Sequence, residues 1–276
     1  MKISVIIRNR NEGAHLGHVL HALSLQDTPA ELILVDNASE DESLRIAARY
    51  GAKIVSIDHN AFTYGRALNL GLRAASGEVC VILSAHSLPV GPRFLSDCAK
   101  PFAEDHRVAA VRCVLARQLR DAIRWMEPEL LIGSADVPTV LAKGPLASGC
   151  AIRRSVWEQV PFDESVEANE EKLWALAVLK RGHAIYSTTH ATFVYLKGIR
   201  PLELVRREHR ERVAILRATG LMAARPRDIA ADLLRAVFRS APAAAWNTIA
   251  CGVVQAYCRL RQSHDARRLP LSGSIY

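Results

Sequence analysis

Short apolar runs closed by polar clusters recur through the first half of this chain, and stretches with helical spacing separate them. The runs cover residues 3–8, 31–36, 53–57, 78–83 and 108–115. Residues 12–25 carry Leu16, Val19, Leu20 and Leu23 at helical spacing. Ser39, with Glu42 three residues on, has the form of a capping box for a helix to Arg49, and residues 66–75 read as a third helix. Strands alternating with helices of this length give βαβ units and a mainly parallel sheet. In open sheets of that kind, ligands gather just beyond the carboxyl ends of the strands. The fourth run is continuously apolar from Val79 to Leu83, as suits a strand buried on both faces, and it stops at Ser84-Ala85-His86.

The second half is read less evenly. Residues 116–145 show no usable periodicity. Residues 147–153 suit a strand followed by a short turn of helix at 155–159. Residues 169–181 suit a helix with Leu173, Trp174, Ala177 and Val178 inward, ended by Gly182. Two short strands are expected at 184–187 and 191–196. Beyond Gly198 the spacing is helical only, at 201–218, 228–239 and 243–261. The expected organisation is an α/β domain over 1–197 and a basic helical region over 198–276.

Charge divides the chain near the same place. Residues 1–196 hold 21 Lys and Arg against 22 Asp and Glu, whereas residues 197–276 hold 15 against 6. A neutral body with a basic tail points to an anionic partner. In the first tail helix, Arg206, Arg210 and Arg217 form one stripe, and Leu202, Val205, Val213 and Leu216 form another. That stripe is either a solvated face or an interfacial helix pressed on anionic lipid. The tail carries only Phe238, Trp246 and two tyrosines as aromatics and no nucleic-acid-binding motif, so nucleic acid is not an expected partner. The six cysteines lack metal or redox spacing and read as buried thiols of a reducing compartment. No secretory leader opens the sequence, and the most apolar stretch, 241–260, is interrupted by Asn247, Thr248, Gln255 and Arg259. The expected location is the cytoplasm, with peripheral contact at the inner face of the membrane through 198–276.

Asp36 ends the second strand, and Arg8, Asn9, Asn11 and Glu12 follow the first. Carboxylates at such positions can hold a ribose or a base edge, or simply cap a turn. Neither a G-x-G-x-x-G nor a P-loop is present, which disfavours a nicotinamide or mononucleotide-loop site.

Six segments in order carry a resemblance. They are Ser4-Val5-Ile6-Ile7-Arg8-Asn9-Arg10-Asn11-Glu12, Leu34-Val35-Asp36-Asn37-Ala38-Ser39, Gly65-Arg66-Ala67-Leu68-Asn69-Leu70-Gly71 and Leu83-Ser84-Ala85-His86-Ser87-Leu88-Pro89. Ala151-Ile152-Arg153-Arg154-Ser155-Val156-Trp157 and the 169–182 helix complete the series. Together they resemble the successive motifs of family 2 glycosyltransferases, nearest in flavour to the bacterial rhamnosyltransferase-like subgroup. The resemblance implies a GT-A fold with a Rossmann-like mixed sheet, a nucleotide-diphosphate sugar as donor, and inversion at the anomeric carbon. A hexose or deoxyhexose would pass to a glycan or lipid-linked acceptor.

Carried onto this sequence, the resemblance places Asp36 with Arg8, Asn9 and Glu12 on the base and ribose, and Arg66 near the nucleotide. Family members show two aspartates flanking one residue after the fourth strand. Here Ser84 takes the first place, Ala85 the middle and His86 the second. His86 is then the expected metal or diphosphate contact, and an imidazole suits Mn²⁺ better than Mg²⁺. If no metal binds, Arg153, Arg154 or Lys197 could share the diphosphate charge. The family's histidine after the late strand corresponds to Tyr195. Glu171 matches the general base, with Glu170 beside it. Two acids in a first helical turn also favour the helix dipole, whatever else they do. The absent aspartate pair leaves a second reading, a non-catalytic nucleotide-sugar-binding or scaffold protein. His15, His18 and His21 read as a solvated face, His209 as a packing residue, the tryptophans as mainly core, and Trp125 as a sugar-stacking candidate.

Overall fold

The computed structural model describes residues 1–116, 129–197, 214–215 and 217–219. The expected tail helices, with His209 and Trp246, lie outside these residues apart from a few positions near 215, as do Trp125, Cys251 and Cys258. One compact unit comprises Met1–Val166 and Glu170–Lys197.

Its centre is a nine-stranded mixed sheet. Strands β1 (Ile3–Asn9), β2 (Ala30–Asp36), β3 (Lys53–Ser56) and β4 (Val79–Ser84) run parallel in the order β3-β2-β1-β4. The chain runs outward from β1 to β3 and then returns to the other side of β1 as β4, so the order reverses between β1 and β4. Such a reversal opens a crevice at the strand ends. Beyond β4, the sheet continues through β8 (Gly149–Arg153), antiparallel to both its neighbours, to β6 (Val108–Ala116) and then β9 (Ala184–Tyr195). Strands β5 (Ser87–Pro89) and β7 (Leu130–Ile132) pair antiparallel with β9.

The period-two alternation of strand side chains decides how the helices pack. Ile6, Ile33 and Ile82 face α3 (Tyr64–Ala74), α6 (Arg154–Gln159) and α7 (Glu170–Leu179) in one apolar cluster. Val5, Ile7 and Val81 face α1 (Gly13–Ser24) and α4 (Phe94–Glu104) in the other. In α1, Leu16, Val19, Leu20 and Leu23 are the buried residues, as their spacing requires, while His18 and His21 are exposed. Cys80, Cys98, Cys113 and Cys150 are buried free thiols, and Trp157 and Trp174 are core residues.

Several elements depart from the sequence reading. Ser39 caps no helix: α2 is Ser43–Arg49, and Ser39 is drawn into the loop that serves Asp36. The two late strands are one, because β9 advances from Ser187 to Thr192 while β6 advances from Arg112 to Val114. The extra residues form a bulge whose polar sequence mimics a loop. Helix α7 is buried on more than one side, with Ala175, Leu176 and Leu179 inside and Leu173 and Ala177 only partly covered. Helix α4 has apolar residues at helical spacing, but Pro101 within it speaks against a helix in the sequence. Part of the unreadable stretch forms β7 and α5 (Val137–Lys143), which Asp136 caps through the Thr139 N–H.

Candidate active site

The parallel strands bring their ends into register. Asn9 lies opposite Asp36, and Arg8 lies opposite Ser84. Three of the expected segments therefore meet at one edge, on the crevice where the strand order reverses.

Asp36 is 2% exposed and fully engaged. Its Oδ1 accepts from Asn9 Nδ2 at 2.8 Å and Ser39 Oγ at 2.6 Å, and its Oδ2 accepts from the Ser39 N–H at 2.9 Å. Because the carboxylate can only accept, the Asn9 amide must present its nitrogen here, which leaves its buried Oδ1 without a partner. The two loops are knitted together by three further bonds: Asn11 N–H to Ser39 Oγ, Glu40 N–H to Asn11 Oδ1, and Gly13 N–H to Asp41 Oδ2. Asn11 and Ala38 hold positive φ, as does Asn169 just before α7. These are the only non-glycine residues of that kind among the described residues, and each lies in a segment expected to form the site. Strain of this sort persists where the surroundings over-determine it.

Arg8 links β1 to the acidic pair. Its Nη1 donates to Glu170 Oε1 at 3.3 Å, its Nη2 donates to the Ala147 carbonyl at 2.8 Å, and its guanidinium stands 5.2 Å from the Tyr64 ring centre. Glu170 is 3% exposed and so is committed to an ion pair. Glu171 is 9% exposed, and no hydrogen bond or ion pair engages its carboxylate among the described residues.

The end of β4 has a different character. Ser84 is partly buried, and Ala85, fully buried, contributes only its N–H, which donates to the Arg8 carbonyl. The His86 side chain is 27% exposed, with its ring edge-on to Tyr195 at 5.3 Å. Its Nδ1 is buried, forms no well-aligned hydrogen bond, and lies 3.4 Å from Glu12 Oε1. The same Glu12 oxygen accepts from Lys197 Nζ at 2.7 Å. Burial lowers the His86 pKa from its ordinary 6.5; the Glu12 charge opposes this, and Lys197 and His15 reinforce it. The imidazole is therefore neutral near pH 7 and keeps a lone pair.

Other expected residues are placed elsewhere. Arg66 is exposed at the start of α3, where its N–H donates to Thr63 Oγ1. Arg153 registers with Val79, at the far end of β4 from Ser84, and donates to the carbonyls of Val108, Phe102 and Asp105. Arg154 pairs with Glu158. Of the three cations considered for the diphosphate, only Lys197 reaches the site. Its link to Glu12 and the service of Ser39 to Asp36 were not legible in the sequence; the sole signal for Lys197 was its place just after the last strand.

Among the described residues, no three His, Cys, Asp or Glu side chains cluster as a ready-made metal cage, and no helix is long and apolar enough to cross a membrane. The orphaned His86 Nδ1 beside a carboxylate oxygen nevertheless fits a divalent cation that completes its coordination with ligand oxygens.

Comparison with known proteins bears on the family and the fold. The family model described as glycosyl transferase family 2 matches residues 4–158. A 66-residue stretch is 36% identical to 4,4'-diaponeurosporenoate glycosyltransferase of Staphylococcus aureus, covering 23% of this chain and only 18% of that protein. Among solved structures, a mannosyltransferase from Pyrobaculum calidifontis in complex with GDP-Man and Mn²⁺ superposes with a TM-score of 0.64 at 21% identity, over 95% of this chain and 87% of that one. Glucosyl-3-phosphoglycerate synthase from Mycobacterium tuberculosis, in complex with phosphoglyceric acid, gives 0.60 at 22% identity over 81% of each chain. TarS 1-349 of S. aureus gives 0.57 at 18% identity over 95% and 92%. Likeness at these identities is a likeness of fold.

Proposed function

The chain belongs to glycosyl transferase family 2 and has its GT-A architecture, and from that premise we propose that it transfers a hexose or deoxyhexose from a nucleotide-diphosphate sugar to a glycan or lipid-linked acceptor, with inversion. The observation that carries this reading is the division of labour in the acidic pair: Arg8 holds Glu170, while no hydrogen bond or ion pair engages the Glu171 carboxylate among the described residues. Inverting transfer needs a base that removes the acceptor hydroxyl proton as the hydroxyl attacks the anomeric carbon from the face opposite the leaving group. Glu171 has that role. It lies in the first turn of α7.

Asn9, Asp36 and the loop around Ser39 make a wall for base and ribose. Ser84 offers a hydroxyl to the ribose or sugar. A divalent cation held by His86, with Mn²⁺ favoured over Mg²⁺ by the imidazole, would neutralise charge on the departing nucleoside diphosphate. We assign residues 1–197 to the transferase domain and 198–276 to a basic region that meets anionic membrane at the cytoplasmic face.

The test is a nucleotide-release assay over a panel of UDP-, GDP- and dTDP-sugars, each with Mn²⁺, Mg²⁺ or chelator, with and without candidate acceptors. Release that depends on one donor class supports the proposal. No release or transfer under any condition favours the non-catalytic reading instead.

A further inference from the structure

The strand end that carries Ser84, Ala85 and His86 lacks a carboxylate, yet a carboxylate stands beside it. Glu12, at the N-terminal edge of α1, places Oε1 3.4 Å from His86 Nδ1. Two donors at this separation are close to the spacing of neighbouring ligands each about 2.1 Å from one cation. Nδ1 is buried without a well-aligned hydrogen-bond partner, and the separation is longer than a good hydrogen bond. The Glu12 side chain is 10% exposed, and its Oε1 is already neutralised by a cation, the Lys197 ammonium at 2.7 Å.

We propose that Glu12 and His86 together form the protein half of the divalent-cation site, and that Lys197 is its exchangeable occupant. Glu12 supplies from the first loop the carboxylate that the fourth strand lacks. When Glu12 turns from the ammonium to a metal ion, Lys197, half exposed at 51%, is released towards the donor diphosphate. The charge lost from Glu12's side of the site is thereby delivered where the leaving group gathers negative charge. The inference rests on the transferase reading above and deepens it.

Mn²⁺ binding to the full-length chain tests this, measured by the electron paramagnetic resonance of free Mn²⁺, alone and with UDP or GDP. Thermal melting of each variant checks that it is folded. Glu12→Gln and His86→Ala should each weaken binding at least tenfold, and electron spin-echo spectra of bound Mn²⁺ should lose the imidazole ¹⁴N coupling in His86→Ala. Lys197→Met should bind Mn²⁺ more tightly than the parent when no nucleotide is present, because the competing cation is gone. If Glu12→Gln binds within twofold of the parent while His86→Ala is impaired, the Glu12 assignment is overturned and the His86 reading survives. Unchanged or weaker binding in Lys197→Met overturns the exchange. A parent that binds no Mn²⁺ with either nucleotide, or a His86→Ala variant that binds normally, overturns the metal reading itself.

Discussion

Arg8 reaches Glu170 and leaves Glu171 alone, so two chemically identical neighbours should respond differently to the same substitution. Glu171→Gln should retain donor binding and the melting temperature, and lose transfer by about 10²–10⁴-fold, the usual range for a general base. Glu170→Gln should instead strand a largely buried guanidinium and cost about 3 kcal/mol of stability. Donor-binding calorimetry, single-turnover transfer and thermal melting separate the two outcomes; loss of transfer without loss of stability in Glu170→Gln would reverse the roles. The sequence placed both acids by their position at the head of a helix. The resemblance assigned the base to Glu171, but the sequence could not show that Arg8, 162 residues from Glu170, holds the other acid. Asp36 was read from its place at the end of a strand; its partners Asn9, at the end of the neighbouring strand, and Ser39, in the loop that follows, were not. Arg153 and Arg154 misled, since a motif records order along the chain and not which end of an antiparallel strand a side chain occupies.

The elements legible in the sequence were those whose burial is periodic. Strands β1 to β4 and helices α1 and α3 followed from apolar spacing alone, whereas α4 was hidden by Pro101, β5 by its three-residue length, and the unity of β9 by its bulge. The links between elements are polar and equally testable. Asn69 on α3 accepts from Trp157 Nε1 and the Phe162 N–H and donates to the Phe162 carbonyl and Glu164, tying α3 to the segment after α6. Asn69→Ala should cost about 2 kcal/mol through the buried groups it leaves unpaired, read by chemical denaturation. A change below about 0.5 kcal/mol would show that water replaces the amide. Glu31 at the start of β2 accepts from Ser4 Oγ, the Ser76 N–H and Ser76 Oγ. Burial raises its pKa, but these bonds outweigh that and hold it below the ordinary 4.5. A depressed carboxylate pKa stabilises the fold above the unfolded value and ceases to do so as pH falls through the folded value. The melting difference between the parent and Glu31→Gln should therefore be present at pH 7 and shrink below pH 4.5; a constant difference would mean that charge plays no part.

At the scale of the whole molecule, the charge division near residue 197 predicts association with surfaces. The full chain should co-sediment with vesicles of phosphatidylserine and phosphatidylcholine but not with phosphatidylcholine alone. Rising ionic strength should release it as the Debye length falls from about 10 Å at 0.1 M to about 3 Å at 1 M. Binding that ignores both lipid charge and salt would rule out the basic tail as the cause. The ion pair between Glu12 and Lys197 also has a consequence for how the molecule comes into being. It joins residues 185 positions apart, and the Arg8–Glu170 pair spans nearly as far. A chain made from its N-terminus on the ribosome can form the β1-to-β4 core early, from contacts local in sequence. It cannot complete the crevice until residue 197 has emerged. Until then Glu12 has no ammonium, and the chemistry proposed for this edge of the sheet is confined to chains whose synthesis has passed the transferase domain.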